Sequence, residues 1–283
     1  MGARRAEEAL FKCLMILSLA VVAGSLGWVV LVVLVRGLPA LTLEMITQVP
    51  KGGYYLGGEG GVLNAITGSL CLAFGATAAA LLLGLPVVFF LQREYAGRSR
   101  LAALTQLALD VMWGVPSIVY GAFGFAVMVY FGLRASLLGG IIALTLVELP
   151  IMARAMHEVL KMVPVELKES SYSLGATRLE TAARVVWRHA LPGLLTAVFL
   201  AFGRGIGDAA SVLFTAGYTD HLPSSLTEPV ASLPLAVFFQ IGTPFPKVQQ
   251  RAYASGAILL VMVLLLSIGA RLLARKYQAY VPK

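Results

Sequence analysis

Four long stretches of this chain carry no charge: between Lys12 and Arg36, between Glu59 and Arg93, between Asp110 and Arg134, and between Arg251 and Arg271. An apolar run of about 18 residues or more is long enough to cross a bilayer as a helix. Inside the hydrocarbon layer, every backbone N–H and C=O must be paired within the protein, which restricts spanning structures to helices and closed barrels. The chain is 59% hydrophobic and only 13% charged, with a mean hydropathy of +0.85. No ordinary soluble core needs that much apolar surface. The expected fold class is an all-α polytopic membrane protein.

The apolar runs predict six spans, at about 11–35, 61–91, 103–131, 137–156, 192–216 and 250–273. The first run is too long for the core of a signal peptide and is followed by no clear small-residue cleavage site, so it reads as a retained span. Acidic residues after Arg4-Arg5 argue against a twin-arginine signal. The second span is longer than a bilayer needs and is expected to tilt, kink near Pro86 or project from the membrane. The third carries Pro116. The loops at 36–60 and 217–249 contain Gly and Pro, the latter holding Pro223, Pro229, Pro234, Pro244 and Pro246. Cys13 and Cys71 lie in or beside spans and read as small apolar packing residues, with no disulfide framework or zinc spacing.

Six spans put both termini on one side. Sixteen of the 22 Lys and Arg fall in the N-terminal start, the 93–100 turn, the polar stretch near 154–191 and the tail. Five fall in the opposite loops, and Arg204 lies within a span. The positive-inside bias therefore turns the polar stretch and both termini to the cytoplasm. It also accounts for most of the net charge of +8, with no need for a nucleic-acid partner.

The polar stretch, 157–191 with its flanks, interrupts the greasy pattern. It is expected to hold two short helices. Pro164 suits a first helical turn, where its missing N–H is not needed. Val165, Leu167, Tyr172 and Leu174 would form the first helix's apolar face, and Glu166, Lys168 and Glu169 its polar side. Gly175 can take the left-handed conformation that ends a helix. Thr177 and Glu180 have capping-box spacing and would start the next. A compact helix pair at a membrane surface is an elbow that a partner can hold.

Catalytic signals are weak. There is no G-x-x-x-x-G-K-[ST] phosphate loop and no H-E-x-x-H, and the three histidines, at 157, 189 and 221, are scattered. The constellation that stands out is Gly203-Arg204-Gly205-Ile206-Gly207-Asp208 in the fifth span. An intramembrane arginine costs about 2.5–3.5 kcal/mol on insertion scales. Asp208, four residues on, would share its helix face. Gly203 and Gly207 have the small-xxx-small spacing that lets another helix approach. The pair is either a packing device or part of a translocation pathway in which Arg204 meets a passing anion and Asp208 holds it meanwhile; the guanidinium fork suits an oxyanion. Asp110 and Glu148 read as packing or capping carboxylates near the interface, and Tyr120 and Tyr130 as packing or belt residues.

These residues carry a resemblance. Glu169-Ser170-Ser171, three further residues and Gly175 resemble the E-A-A-x-x-x-G signature of ATP-binding-cassette importer permeases. Pro116 to Gly121, Gly61 to Ser69 and Leu174 to Thr177 resemble stretches of the phosphate importer's permeases. Arg204 to Ala216 is similar to the R-A-x-G-E-T-A-P-L-L-F-T-A of one of its two permeases. The likeness runs from about residue 60 to the C-terminus.

The resemblance implies a type I importer permease fold, with residues 1–60 an N-terminal span and outer loop and 61–283 the permease core. It implies that the helix at Val165 to Leu174 couples to a cytoplasmic ATPase through Glu166, Leu167, Glu169, Ser170, Tyr172, Leu174 and Gly175, of which Glu169 and Gly175 stand at signature positions. It makes Arg204 and Asp208 the substrate-pathway pair. The implied partners are a second permease, two ATP-binding subunits that hold ATP and Mg, and a periplasmic phosphate-binding protein, all working at a bacterial inner membrane; this chain would hold no cofactor and break no bond. The sequence departs from the pattern at Asp208 for Glu, Ser211 for Pro, Trp187-Arg188 for Leu-Pro, and Ser170-Ser171 for two alanines. Another tetrahedral oxyanion (tungstate, molybdate or a phosphonate) is the alternative substrate class, and an ion-coupled transporter or channel the alternative mechanism.

Overall fold

Lipid offers helices little hydrophobic reason to associate, so they must fit closely, and small residues allow it. Helix α3 (Leu63–Phe90) shows this directly: its buried stripe includes Ala65, Ser69, Ala73, Ala76, Ala80 and Gly84, spaced three or four apart. It packs most extensively on α6 (Leu137–Lys161), and both pack on α9 (Trp187–Ile206). Their shared core holds Ala80, Val88, Met152, Ala153, Met156, Leu160, Ala190, Leu194 and Ala201. The computed structural model describes residues 2–52, 59–92 and 99–278, with side chains between residues 7 and 273. The charged turn at 93–98 and the end of the basic tail lie outside them. Every named element is helical.

Among the described residues, five helices are long and apolar enough to cross a membrane, and a bent pair makes a sixth if it counts as one span. The chain's third apolar run is not the single span expected from its composition. It divides into α4 (Arg100–Gly114) and α5 (Ser117–Tyr130), which meet at 100°. Pro116 lacks an N–H and forces the residue before it out of the helical region. Val115 is accordingly extended, with ψ 127. The Tyr120 hydroxyl braces the break by donating to the Met112 carbonyl at 2.7 Å. Pro86, by contrast, sits inside an unbroken α3.

The fifth span is also displaced from its expected limits of 192–216. It begins at Arg178 and ends at Ile206. The capping box is present: Thr177 accepts from the Glu180 amide and the Glu180 carboxylate accepts from the Thr177 amide. The turn it starts, α8 (Arg178–Glu180), is not a separate short helix. It runs through a π-helical turn, Thr181–Val186, into α9 as one 29-residue helix. Beyond Gly207 the chain leaves the helix and folds into tight turns. Gly205 and Gly207 are poor helix formers, and the Asp208 carboxylate accepts the Ser211 amide at 2.9 Å, a local bond that competes with helix. This segment is tied down by Ser136 N–H to Thr215 O and Val230 N–H to Ala216 O, both 2.9 Å.

The order of contacts gives the molecule two faces. Gln92 and His157, at the ends of α3 and α6, approach at 3.5 Å, on the face where α6 leads on to α7 (Val165–Ser173). At the other face the Asn64 amide donates to the Thr219 carbonyl at 2.6 Å. Short helices α2 (Leu43–Thr47) and α10 (Leu233–Ile241) close that end over Met45, Val62, Leu233 and Ala236. Helix α1 (Gly2–Gly37) meets α11 (Pro246–Gln278) where Gly37 presses on the backbone at Tyr253 and Ala254. The two run antiparallel from that contact, so the start of α1 and the end of α11 point to the face that carries α7.

Candidate functional site

The intramembrane pair forms, though not on one continuous helix face. Arg204 stands in the last turn of α9, not mid-helix, and Asp208 lies beyond its end. The Arg204 Nη1 donates to Asp208 Oδ1 at 2.6 Å, and Asp208 Oδ2 accepts the Ser211 amide. The Asp208 side chain is 4% exposed and that of Arg204 45% exposed, so the acid is fixed in the protein and the cation reaches out. Arg204 lines two cavities. One, of about 420 Å3, lies between α9 and α11 and ends at Arg271. The other, of about 330 Å3, lies against the α4–α5 break and is lined by Trp113, Ser117, Tyr120, Val147 and Leu200 as well.

The expected small-xxx-small contact is not made within the chain. A methyl group on Gly203 would meet nothing within 4 Å, and one on Gly207 would only reach carbonyls of its own helix at 3.9 Å. The close approach belongs to Gly205, where an added methyl would overlap the Glu148 carboxylate. Glu148 is fully buried in the middle of α6, not placed near the interface as its sequence context suggests. Its Oε2 accepts from the Thr77 hydroxyl at 2.7 Å, while its Oε1 has no partner among the described residues. The signal was there to read: Glu148 is the sole charge between Arg134 and Arg154. Asp110 pairs with Arg154, whose guanidinium also lies 6.0 Å from the Trp113 ring centre. Arg154 therefore belongs to the bundle as much as to the elbow.

At the elbow, α7 starts after Pro164, which acts as its N-cap instead of its first helical residue. It ends in a Schellman motif: the Ala176 amide donates to Ser171 O and the Gly175 amide to Tyr172 O. Gly175 has φ +83, a conformation in which a side chain is strained. The expected facial arrangement is reversed in part. Val165, Leu167 and Leu174 are exposed, Leu174 to 89%, whereas Lys168 is buried. Glu166, Glu169 and Ser170 are exposed and Tyr172 half-buried. Ser171, which stands where the signature has alanine, makes a contact that the sequence pattern does not foretell. Its hydroxyl shares a hydrogen bond of 2.8 Å with Thr181 and ties α7 to the π-helical turn.

The chain belongs to the family of binding-protein-dependent transport system inner membrane components, whose model matches residues 95–279. Within that class it is similar to the phosphate transport system permease protein PstA of Yersinia pestis, 32% identical over 93% of this chain and 89% of that one. PstA 1 of Mycobacterium tuberculosis is 32% identical over 95% of this chain and 89% of its own length. PstA of Xylella fastidiosa is 33% identical over 84% and 82%. In fold, the chain resembles an inward-facing MetNI methionine ABC transporter, with a TM-score of 0.64 at 18% identity over 76% of this chain and 95% of that one. An amino acid ABC transporter solved with histidines gives 0.60 at 19% identity. The protein is thus an inner-membrane component of a binding-protein-dependent transport system, with the fold of these ABC transporter chains.

Proposed function

We propose that this chain is one of two permease subunits of an ATP-driven importer of inorganic phosphate. Residues 1–60 form its peripheral N-terminal part and 61–283 its permease core, a division supported by α1, whose apolar window is 0% buried in the chain. The elbow and both termini lie on the cytoplasmic side, as the distribution of Lys and Arg indicates. ATP and Mg are held by two cytoplasmic ATP-binding subunits, and phosphate arrives on a periplasmic binding protein.

The observation that carries this reading is that one helix joins the two candidate sites. The elbow is fastened at Thr181, near the start of Arg178–Ile206, and Arg204 stands near its end. At 1.5 Å per residue the helix is about 40 Å long. An ATPase that displaces the elbow thus moves the arginine at the far end as part of the same rod. Glu166, Leu167, Glu169, Ser170, Tyr172, Leu174 and Gly175 present the elbow to that ATPase. Arg204 offers a guanidinium fork to the tetrahedral anion, and Asp208 holds the fork in register between passages.

The test is uptake of radiolabelled phosphate by proteoliposomes holding the assembled complex. An Arg204→Ala complex is expected to assemble and to lose uptake; unimpaired uptake removes the pathway role. A Glu169→Lys complex is expected to lose stimulation of ATP hydrolysis by the loaded binding protein; unchanged stimulation removes the coupling role. Uptake of tungstate, molybdate or a phosphonate in place of phosphate would reassign the substrate, and uptake without any ATPase would overturn the mechanism.

A further inference from the structure

Arg204 lines two cavities, and they differ in how they are walled. We infer that the oxyanion is held in the cavity at the α4–α5 break, between the Arg204 guanidinium and the Ser117 hydroxyl. This rests on the importer reading above and names the subsite within it.

Irregular backbone at membrane depth leaves polar groups that lipid cannot satisfy, and it is tolerated only inside protein or beside a water-filled cavity. Here Val115 and Pro116 leave the helix, and Val115 and Ser117 line the cavity directly. The α9–α11 groove is walled by two uninterrupted helices and offers no such opening. Broken helices of this kind recur where transporters bind small ions near mid-membrane.

The lining chemistry agrees. Arg204 is the one charged side chain among the residues lining this cavity, and no carboxylate is among them. Its Nη1 bond to Asp208 Oδ1 uses one of the five N–H donors of a guanidinium. The Ser117 hydroxyl and the Trp113 indole N–H, both on lining residues, are of the neutral donor type that selects an oxyanion by hydrogen bonding. Tyr120 has another duty. Its hydroxyl proton is given to the Met112 carbonyl, which holds the two halves of the break together. It is a positioning residue for the cavity wall. At about 330 Å3 the cavity also has room for a tetrahedral oxyanion with several waters, each of which occupies about 30 Å3 in the liquid.

The experiment compares two thiols in the assembled complex, in a background where the native cysteines, Cys13 and Cys71 included, are replaced by Ala. Ser117→Cys reports on the break cavity and Ser267→Cys on the α9–α11 groove. The rate of modification by a small charged thiosulfonate is measured with and without inorganic phosphate, and phosphate uptake by the same complexes is measured separately. With phosphate at ten times its dissociation constant, mass action predicts that Ser117→Cys reacts about tenfold more slowly. Ser267→Cys should be unaffected, and adding Arg204→Gln should abolish the protection of Ser117→Cys. Should Ser117→Cys fail to assemble, Trp113→Cys reads the same cavity. Protection at Ser267→Cys alone, or at neither position in a complex that imports phosphate, overturns the subsite and leaves the transport reading standing. Protection of Ser117→Cys by molybdate or a phosphonate alone, in a complex that does not import phosphate, supports the subsite and overturns the choice of phosphate.

Discussion

The two ends of the helix Arg178–Ile206 are built on opposite plans. At its far end one face is enclosed by the chain itself: Gly205 lies against Glu148, Ala201 is fully buried, and Asp208 is fixed by Arg204 and Ser211. At the elbow end, Leu167, Leu174 and Leu179 are exposed on a segment that the positive-inside pattern places in water. Apolar groups clustered on an aqueous surface mark a site for a partner. The comparison teaches that close internal packing marks where the chain sets its own geometry, while missing packing marks where another subunit completes it. The first kind of site should be sensitive to a single methyl group. The second should tolerate substitution structurally and fail only in the assembly.

The sharpest test of that contrast lies two residues apart on one helix. Gly205→Ala places a methyl on the Glu148 carboxylate, and overpacking of this kind costs about 3 kcal/mol. The extracted complex should melt markedly lower or fail to assemble. Gly203→Ala, with nothing within 4 Å, should change stability by no more than about 0.5 kcal/mol. Equal melting shifts for the two would remove the proposed contact with Glu148.

Next in size is Asp208→Asn, which keeps an acceptor for the Ser211 amide but removes the charge opposite Arg204. A hydrogen bond to a charged group is worth about 1.5–3 kcal/mol. If that energy positions Arg204 for passage, phosphate uptake should fall by about 10- to 100-fold at unchanged complex yield. Asp208→Glu, with the reach common in the family, should recover most of it. Tyr120→Phe removes one neutral bond across the α4–α5 break, worth about 1 kcal/mol, and should slow uptake about fivefold.

How much of this could be read from the chain depended on whether the signal was local. Apolar runs, Gly175 at the end of α7 and the Thr177–Glu180 capping box are written in neighbouring residues, and the structure has them where the sequence puts them. Helix limits in the membrane are set by tertiary contacts. The run of 192–216 looked like one span because Val212, Leu213 and Phe214 are as apolar as a helix core, yet the bonds from Ser136 and Val230 hold that segment in turns. Pro116 and Pro86 show the same limit: Pro116 ends a helix, whereas Pro86 does not. The Arg204–Asp208 pairing was legible from its spacing. The mid-helix place of Glu148 is legible as the sole charge between Arg134 and Arg154, but its contacts with Thr77 and Gly205 are not, because both lie far away in sequence.

The smallest expected effect is at the elbow itself. Thr177→Ala removes the cap of α8 and costs about 1 kcal/mol locally. Amide exchange at residues 178–181 should quicken, with no change in the melting of the whole complex. A fall in global stability would mean that the elbow is integral to the bundle and the contrast between the two ends is false.

The central claim is that the exposed end of this helix is finished by a cytoplasmic ATPase. The direct measurement is cross-linking from Glu169→Cys, with Cys13 and Cys71 replaced by Ala, to lysine amines through a short maleimide–succinimidyl ester in inside-out membrane vesicles holding the whole complex. The account predicts a high-yield adduct with an ATP-binding subunit, lost when Gly175→Val denies the turn its φ of +83. A thiol at 169 that reacts only from the outer side of intact cells, or that forms no adduct with the ATP-binding subunit in an assembled complex, would contradict it.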